Sequence, residues 1–263
     1  FYKDPETKVI GIFLEGTEDA RRMYEAAKQV TKVKPILVYK AGKTETGVKG
    51  VKSHTGSLAG KIELYSAAFK QAGIIEVQSI RELIEAAKAL SVAKYPPKGN
   101  RVAIITHTAG PSIVATDILE TRGCKLAKLL KETVEGIQSL LPFPIPITNP
   151  VDILGFGYAI PELYGEVVKR VLADDNVDLL LTIYSPSFQH EIRVPVKEMI
   201  EAFEERRKPI VAVLNTPISK KPKEAENLEK VGIPVFFDPE SGAKASAILI
   251  HYYTKLKIKA NTD

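Results

Sequence analysis

The sequence has one cysteine, two methionines and no tryptophan among its 263 residues. A single cysteine, Cys124, excludes an internal disulfide framework and a zinc site built from several thiolates, and it favours a reducing compartment. No apolar run approaches the roughly 18 residues that a membrane span needs, and the first residues, FYKDPETKV, lack a signal-peptide core. We therefore expect a cytoplasmic protein that uses no membrane.

Neither sign of charge dominates the chain, which has 37 Lys and Arg residues, 32 Asp and Glu residues and a formal net charge of +5. The basic residues are spread among glutamates, a pattern typical of a salt-bridged surface, and this argues against a nucleic-acid partner. Hydrophobic residues make up 44% and charged residues 26%. That composition excludes intrinsic disorder and can form a sizeable core.

Short β-branched runs alternate with longer amphipathic segments along the whole chain, which predicts right-handed βαβ units and parallel sheets. We predict strands at Val9–Leu14, Ile36–Lys40, Ile74–Val77, Val102–His107, Leu126–Leu130, Asp178–Tyr184, Ile210–Leu214 and Val235–Phe237. We predict helices at Asp19–Val30, Ser57–Ala72, Arg81–Leu90, Ser112–Thr121, Pro161–Ala173, Pro195–Arg206, Glu224–Val231 and Ser241–Lys255.

The segment KYPPKGN (Lys94–Asn100) predicts a domain boundary, because two prolines and a glycine end a helix and start no new element. We assign residues 1–95 to the first domain and 96–263 to the second. Enough strand–helix units follow the boundary for a complete five-stranded flavodoxin-like sheet. Only three strands precede it, so we expect a first flavodoxin-like domain that is incomplete at its N-terminus and lacks about two strand–helix units.

A proline-rich stretch, LPFPIPITNPVD (Leu140–Asp152), interrupts the second domain. Its prolines exclude a helix, so we expect an extended loop that ends in a turn at Asn149-Pro150. The LGFGYA segment that follows is interpreted as part of a structural crossover loop.

The window KAGKTETGVKGVKSHTGSLAG (Lys40–Gly60) follows a strand and is rich in glycine, serine, threonine and lysine, which is typical of an anion-binding loop. It contains His54 just before a predicted helix. A neutral imidazole can attack phosphorus if an acceptor holds its other N–H, and Glu15 at the end of a neighbouring strand could be that acceptor. From the residues alone, a helix-capping histidine and a helix-start carboxylate are the favoured interpretations.

KPILVYKAGKTETG and SHTGSLAG, in this strand–loop–helix context, resemble the phosphohistidine segment of the NDP-forming acyl-CoA synthetases, the succinyl-CoA synthetase superfamily. The α chains of archaeal ADP-forming acetyl-CoA synthetases are the most similar members. ETKVIGIFLEGTEDARR resembles the strand that carries the family's glutamate beside the phosphohistidine, and RVAIITHTAGPSIVATDILETRG resembles the opening of its second flavodoxin-like domain. The resemblance spans nearly the whole chain.

The resemblance implies an acid–CoA ligase that converts acyl-CoA, ADP and phosphate reversibly into acid, ATP and CoA. It implies that His54 accepts the phosphoryl group and that Glu15 orients the imidazole. The phosphate-binding residues implied in the same way are Ser53, Thr55, Gly56, Ser57, Thr108, Ala109 and Gly110. Where the family usually has Asn-Ala-Gly-Gly, this chain has Thr108-Ala109-Gly110-Pro111, so the segment is better defined than its individual atoms. His107 precedes it and either lines the site or is a loop residue.

The resemblance also implies parts that this chain lacks: an N-terminal CoA-binding domain and an ATP-grasp β subunit that binds ATP or ADP with Mg²⁺. A hetero-oligomer or a dimer is expected, and no metal site is expected in this chain. By itself the chain should be inactive or only partly active, and the acyl group is not disclosed. Two other functions stay open: a non-catalytic ligand-sensing module of a regulatory or acetyltransferase fusion protein, and a simple flavodoxin-like binding module.

Overall fold

The structure, a computed structural model, describes residues 1–55, 61–185, 194–217, 219 and 222–256, without the side chains of Lys52, His54, Thr55 and Tyr158. Over these residues the fold is α/β with parallel sheets, as the sequence predicts. The chain divides into a first unit, Phe1–Ser91 with Lys255 and Leu256, and a second unit, Val92–Thr254. The predicted boundary at Lys94–Asn100 lies a few residues after this division.

The first unit has a three-stranded parallel sheet in the order β1-β2-β3. Its elements are β1 (Ile10–Leu14), α1 (Ala20–Val30), β2 (Ile36–Lys40), α2 (Glu45–Thr55), α3 (Ile62–Ala72), β3 (Ile75–Glu76) and α4 (Ile80–Val92). Leu37 and Val38 of β2 are fully buried, and Phe69 of α3 packs in the same unit. The register pairs Leu14 with Lys40, so β1 and β2 end side by side.

Helix α2 lies in the window that was predicted to be a glycine-rich loop, so that prediction was wrong for residues 45–55. Two local features explain the helix. The Thr44 hydroxyl accepts a hydrogen bond from the Gly47 N–H at 3.1 Å, which satisfies one of the free donors of the first turn. Val51 is buried, so the segment has an apolar contact that offsets its two glycines. The predicted helix Ser57–Ala72 is described from Ile62, and its first residues lie outside the described ranges.

The second unit has a wholly parallel sheet in the order β5-β4-β7-β8-β9, with β6 also pairing with β4. Its strands are β4 (Arg101–Thr106), β5 (Lys125–Leu126), β6 (Val151–Asp152), β7 (Leu179–Tyr184), β8 (Ile210–Leu214) and β9 (Val235–Phe236). Its helices are α5 (Ala109–Thr121), α6 (Lys131–Gln138), α7 (Phe156–Ala159), α8 (Pro161–Ala173), α9 (Val196–Arg206), α10 (Glu224–Val231) and α11 (Pro239–His251), which continues as a π-helical turn at Tyr252–Leu256. All six residues of β7 are buried, as expected of a central parallel strand.

The side chain of Asn149 fills a gap between two short strands on one side of β4. β5 pairs with the start of β4 and β6 with its end, while Asn149 hydrogen-bonds to the middle. Its amide oxygen accepts from the Ile104 N–H at 2.9 Å, and its amide nitrogen donates to the carbonyl oxygens of Val102 at 2.8 Å and Ala127 at 3.0 Å. The Asn149-Pro150 peptide bond is cis.

This arrangement corrects two sequence predictions. The strand expected at Leu126–Leu130 ends at Leu126, because the place beside the middle of β4 is taken by the Asn149 side chain. The loop expected over Leu140–Asp152 ends in the short strand β6, since Val151 and Asp152 pair with β4. Helix α6 was not predicted. In the described part of the chain, no helix has the length and apolar character needed to cross a membrane.

Candidate functional site

The loops after β1 and β2 meet at the carboxyl end of the first sheet. Glu15 follows β1 directly and is half-buried, and Ala41 follows β2. The Ala41 N–H donates to the Leu14 carbonyl oxygen at 2.9 Å, which continues the strand pairing by one residue. The structure therefore places Glu15 at the edge from which the segment leading to His54 departs, as the sequence predicted for parallel neighbours.

Lys40 lies between these two loops with no solvent-exposed surface. Its Nζ donates to the carbonyl oxygens of Glu15 at 2.7 Å and Ala41 at 2.5 Å, and it lies 4.8 Å from the ring centroid of Tyr65 on α3. Burial lowers the pKa of Lys40 from its ordinary value of 10.5, the negative charge of Glu15 opposes this change, and the charge of Lys43 adds to it. From the sequence, Lys40 was predicted as the last residue of a strand and the first residue of the anion-binding window, and its burial was not predicted.

The connection between β2 and α2 is tightly constrained at Gly42. Its φ of +71° is a conformation that favours glycine, and a Cβ atom there would lie 2.9 Å from Cγ2 of the buried Val51. Any larger residue at this position would therefore have to displace Val51. The tight turn fixes the direction in which α2 leaves the sheet edge.

The predicted phosphohistidine segment is only partly described. The backbone of His54 and Thr55 forms the last residues of α2. Ser53 is exposed, and its hydroxyl donates to the Gly50 carbonyl oxygen at 2.8 Å, one turn earlier in the same helix. Gly56 and Ser57 lie outside the described residues, as do the side chains of His54 and Thr55. The assignment of a role to these residues stays a prediction.

The corresponding edge of the second sheet carries the other predicted phosphate-binding segment. Thr108 is the N-cap residue of α5, and the exposed residues Ala109 and Gly110 open its first turn. Thr106 Oγ1 accepts from the Thr108 N–H at 3.1 Å and donates to the Thr108 carbonyl oxygen at 2.8 Å, which fixes the turn between β4 and α5. A Cβ atom on Gly110 would meet nothing within 4 Å, so the helix start is open on that side. Free N–H groups at the N-terminus of a 13-residue helix can bind an anion.

His107 connects the ends of β4 and β7. It is buried, its Nε2 accepts from the Ser185 N–H at 2.9 Å, and its ring centroid lies 4.9 Å from that of Tyr184. Burial lowers the pKa of His107 from its ordinary value of 6.5, and the nearby charge of Asp152 works in the opposite direction. The hydrogen bond with Ser185 requires the neutral imidazole, so burial and bonding favour the same state.

Two further polar residues at this edge were not predicted. Ser185 follows β7, and its Oγ lies 3.4 Å from Thr108 Oγ1 and accepts from Asn215 Nδ2 at 3.2 Å. Asn215 follows β8. Both stand immediately after buried, mostly apolar runs, a sequence signal that could have identified them, since parallel strands end at a common edge. In the ranges that the structure describes, His, Cys, Asp and Glu side chains form no group of three or more that could hold a metal ion.

Comparisons with known proteins identify the family and agree with the fold. Residues 1–90 match the sequence model of the family described as succinyl-CoA ligase like flavodoxin domain. The chain is 41% identical over 250 residues to the acetate–CoA ligase [ADP-forming] II subunit alpha of Pyrococcus furiosus, covering 93% of this chain and 53% of that protein. It is 37% identical over 262 residues to the acetate–CoA ligase [ADP-forming] I subunit alpha of the same organism, covering 98% of this chain and 55% of that protein.

A solved structure is also similar. The dinucleotide forming acetyl-coenzyme A synthetase 1 of Ca. Korarchaeum cryptofilum, in complex with phosphate and ADP, superposes with a TM-score of 0.84 at 29% identity, covering 99% of this chain and 56% of that chain. The fold and the comparisons together place the chain among the flavodoxin-like α/β proteins. Within that class the chain belongs to the NDP-forming acyl-CoA synthetase (succinyl-CoA synthetase) superfamily. It spans about half the length of the curated relatives described above.

Proposed function

We propose that the chain is the phosphohistidine-bearing part of an ADP-forming acyl-CoA synthetase, with acetate as the acid. The observation that carries this proposal is the similarity to two acetate–CoA ligase [ADP-forming] alpha subunits over more than nine-tenths of the chain. The proposed overall reaction converts acyl-CoA, ADP and phosphate into acid, ATP and CoA, and it runs in both directions.

The proposed chemistry has three bond exchanges. A phosphate oxygen attacks the thioester carbonyl of acyl-CoA, so a C–O bond forms, the C–S bond breaks, and CoA leaves as the thiol. Nε2 of His54 then attacks the phosphorus of the acyl phosphate, so an N–P bond forms and the carboxylate leaves. Finally the terminal phosphate oxygen of ADP attacks the phosphohistidine, the N–P bond breaks, and ATP forms.

Glu15 is proposed to accept the Nδ1–H of His54 and thereby leave Nε2 free to attack. Its support is its place at the carboxyl end of β1, beside the β2 end from which the His54 segment departs. A carboxylate in this position also stabilises the positive charge that the imidazole acquires during attack.

The phosphoryl group is proposed to be held by two kinds of donor. Ser53, Thr55, Gly56 and Ser57 would supply hydroxyl and N–H groups that travel with His54. Thr108, Ala109 and Gly110 would supply the helix N-terminus of α5, whose partial positive charge favours an anion. The open space beside Gly110 supports this assignment, because a phosphate needs a side of the helix start that no side chain covers.

The whole protein is proposed to include a CoA-binding domain and an ATP-grasp subunit that binds ADP or ATP with Mg²⁺, in a hetero-oligomer or a dimer in the cytoplasm. The relatives named as alpha subunits, about half of whose length this chain spans, support further parts and a second subunit. On this proposal the present chain by itself does not perform the complete reaction.

An open sheet edge in the first unit supports a different further part, the strand–helix units that the first domain was expected to lack. Among the described residues β1 pairs only with β2, although its sequence, IGIFL, is apolar. Phe13 on β1 is 51% exposed, and Ile80 and Ile84 on α4 are 50% and 64% exposed. We therefore propose that additional strand–helix structure of the whole protein pairs with β1 and covers this patch.

The test is phosphoryl transfer to His54 in the full-length protein with its ATP-grasp subunit. After incubation with γ-³²P-labelled ATP and Mg²⁺, the wild type should hold acid-labile, base-stable label, whereas His54→Ala should lose about 100-fold or more of it because the nucleophile is gone. Glu15→Gln should slow labelling about 10- to 100-fold while the protein stays folded.

The matched control is His251→Ala, which removes an exposed histidine at the end of α11 and should label like the wild type. Equal labelling of wild type and His54→Ala would overturn the proposal and favour a ligand-sensing or binding module. Unchanged transfer in Glu15→Gln would remove Glu15 from the mechanism but leave His54 in it.

A further inference from the structure

Lys40 is unusual because its whole side chain is buried and its ammonium group donates hydrogen bonds only to backbone carbonyl oxygens among the contacts described. Lysine is almost never fully buried unless its charge is satisfied, since removing an ammonium group from water costs several kcal/mol or more. Here the two acceptors are the carbonyl oxygens of Glu15 and Ala41, the first residues after β1 and β2. A strand pair that needed only stability would be about as stable with an apolar residue at this position.

A second lysine shows what is particular about this one. Lys34 lies just before β2, and its Nζ also donates to two carbonyl oxygens, those of Phe1 at 2.8 Å and of Asp4. Both lysines therefore bridge two backbone carbonyls at an end of the same strand. They differ in place: Lys34 is partly exposed at the amino end of β2, and Lys40 is fully buried at the carboxyl end, where Glu15 stands.

We propose that Lys40 is a positioning residue for phosphoryl transfer: its ammonium group holds the Glu15 main chain against the start of the β2–α2 connection, so that the Glu15 carboxylate is placed to orient His54. This inference rests on the proposed function, because it assigns the group that sets up the Glu15–His54 pair. Lys40 itself touches neither substrate nor the reacting atoms.

Three features of the ammonium group suit this role. It has three N–H donors on a compact head, so it can serve both carbonyls and still approach the Tyr65 ring, which lies 4.8 Å away. Its positive charge attracts the negatively charged Glu15 carboxylate, which helps to hold the two residues together. Its burial excludes water that would otherwise compete for the two carbonyl oxygens.

The position of Lys40 also links the two loops to each other. Ala41 bonds through its N–H to Leu14 and through its carbonyl oxygen to Lys40, while Lys40 bonds to the next residue of the β1 loop, Glu15. Without the ammonium group the Ala41–Leu14 bond of this set remains, and the bond that ties the Glu15 carbonyl oxygen to Lys40 is lost. A displacement of about 1 Å in a catalytic group costs about 100-fold in rate.

The experiment is a double-mutant cycle on the rate of His54 phosphorylation, measured in the full-length protein with its ATP-grasp subunit. Lys40→Met keeps the length of the side chain and removes the donors and the charge. We expect it to slow phosphorylation about 10- to 100-fold in the wild-type background. In the Glu15→Gln background the same change should cost less than about 3-fold, because the two residues act through one interaction.

The control is Lys34→Met, which removes the corresponding ammonium at the other end of β2 and should leave the rate within about 2-fold of wild type. If Lys40→Met does not fold, judged by circular dichroism and thermal melting, the cycle is run with Lys40→Gln. That variant keeps an N–H donor for one carbonyl and should show a smaller loss with the same non-additivity.

The outcomes separate this inference from the proposed function. A normal rate in Lys40→Met, or losses from Lys40→Met and Glu15→Gln that simply multiply, would overturn the positioning role while the phosphohistidine assignment stands. A normal rate in Glu15→Gln would instead refute the proposed part of Glu15 and this inference with it. A loss in Lys34→Met equal to that in Lys40→Met would show that strand anchoring, and not Glu15, is what the ammonium supplies.

Discussion

In the first unit, the loops after neighbouring strands are joined by a charged donor, the Lys40 ammonium, which bonds to two carbonyl oxygens. In the second unit, the turns after neighbouring strands are joined by a neutral acceptor, the His107 imidazole, which accepts from the Ser185 N–H. Burial lowers the pKa of both side chains, so it works against the charged state used by Lys40 and in favour of the neutral state used by His107.

The difference shows where a structural explanation is sufficient. His107 is neutral, which is the state that its buried surroundings favour, and Asn149 is neutral as well. Their hydrogen bonds within the second unit are sufficient to explain why both residues are there. Lys40 is in a state that its surroundings disfavour. A buried charge that adds little net stability at this edge is better explained by what it positions than by what it stabilises.

The largest expected effect concerns the second unit, where the polar side chains between the strands are neutral. Asn149→Ala removes three hydrogen bonds to Ile104, Val102 and Ala127 and leaves the Ile104 N–H without its partner, so we expect a loss of about 3 kcal/mol in the free energy of unfolding. Urea unfolding followed by circular dichroism measures it. The control, Asn100→Ala, removes one exposed bond to the Gly123 carbonyl oxygen and should cost less than about 1 kcal/mol. Equal losses would mean that the three hydrogen bonds of Asn149 stabilise the fold no more than the single exposed hydrogen bond of Asn100.

A smaller effect should follow the protonation of His107. Because its folded-state pKa is below the ordinary 6.5, the unfolded chain binds more protons as the pH falls. The stabilisation from His107 is therefore complete above about pH 6.5 and is lost as the pH falls through the lowered folded-state value. We expect His107→Gln, whose amide oxygen can accept from Ser185, to unfold with a weaker dependence on pH between 7.5 and 5 than the wild type. Identical pH dependence in the two proteins would show that His107 does not titrate as its burial requires.

The smallest expected effect on stability comes from Lys40→Met. Exchanging a buried ammonium for an apolar side chain of similar length removes the burial penalty and the two carbonyl bonds together, so the free energy of unfolding at pH 7 should change by less than about 1 kcal/mol. The sign for the wild type is the same as for His107: its stability should rise with pH as the pH approaches 10.5 from the lowered folded-state pKa. A loss above about 3 kcal/mol at pH 7 would place Lys40 among the stabilising residues and undo the contrast with His107.

Much of the fold was predictable from the sequence because buried parallel strands are apolar runs with clear ends. Strands β2 and β8 begin and end at the predicted residues, and β7 begins one residue later than expected. The family and its fold were predictable from the SHTGSLAG segment and its context, and the comparisons confirm them. These signals are local, so a single sequence carries them.

The errors come from particular side-chain contacts that the hydrophobic pattern of the sequence does not specify. The strand expected at Leu126–Leu130 is short because an amide 22 residues beyond Ala127 occupies the hydrogen-bonding place beside β4. Helix α2 was missed because glycine lowers helix propensity, while the Thr44 hydroxyl and the buried Val51 raise the stability of this particular segment. No single-sequence pattern reports such partners.

For the candidate site, the sequence predicted where Glu15 lies but not which neighbouring side chains surround the two sheet edges. The placement of Glu15 at the sheet edge follows from strand order, and the structure agrees with it. The burial of Lys40 was not predicted because a lysine at the end of a strand is normally exposed. Here Lys40 is the last residue of the strand ILVYK and is fully buried. The contacts of Ser185 with Thr108 and with Asn215 likewise depend on a parallel arrangement that only the fold specifies.

The burial of Lys40 also bears on its chemical reactivity. A lowered pKa increases the share of free amine, which is the form of lysine that acylating compounds attack, and acyl phosphates are such compounds. Lys40 nevertheless has no solvent-exposed surface, and its Nζ is held by two carbonyl oxygens. The fold therefore shields this amine from acyl donors, including the proposed acyl phosphate.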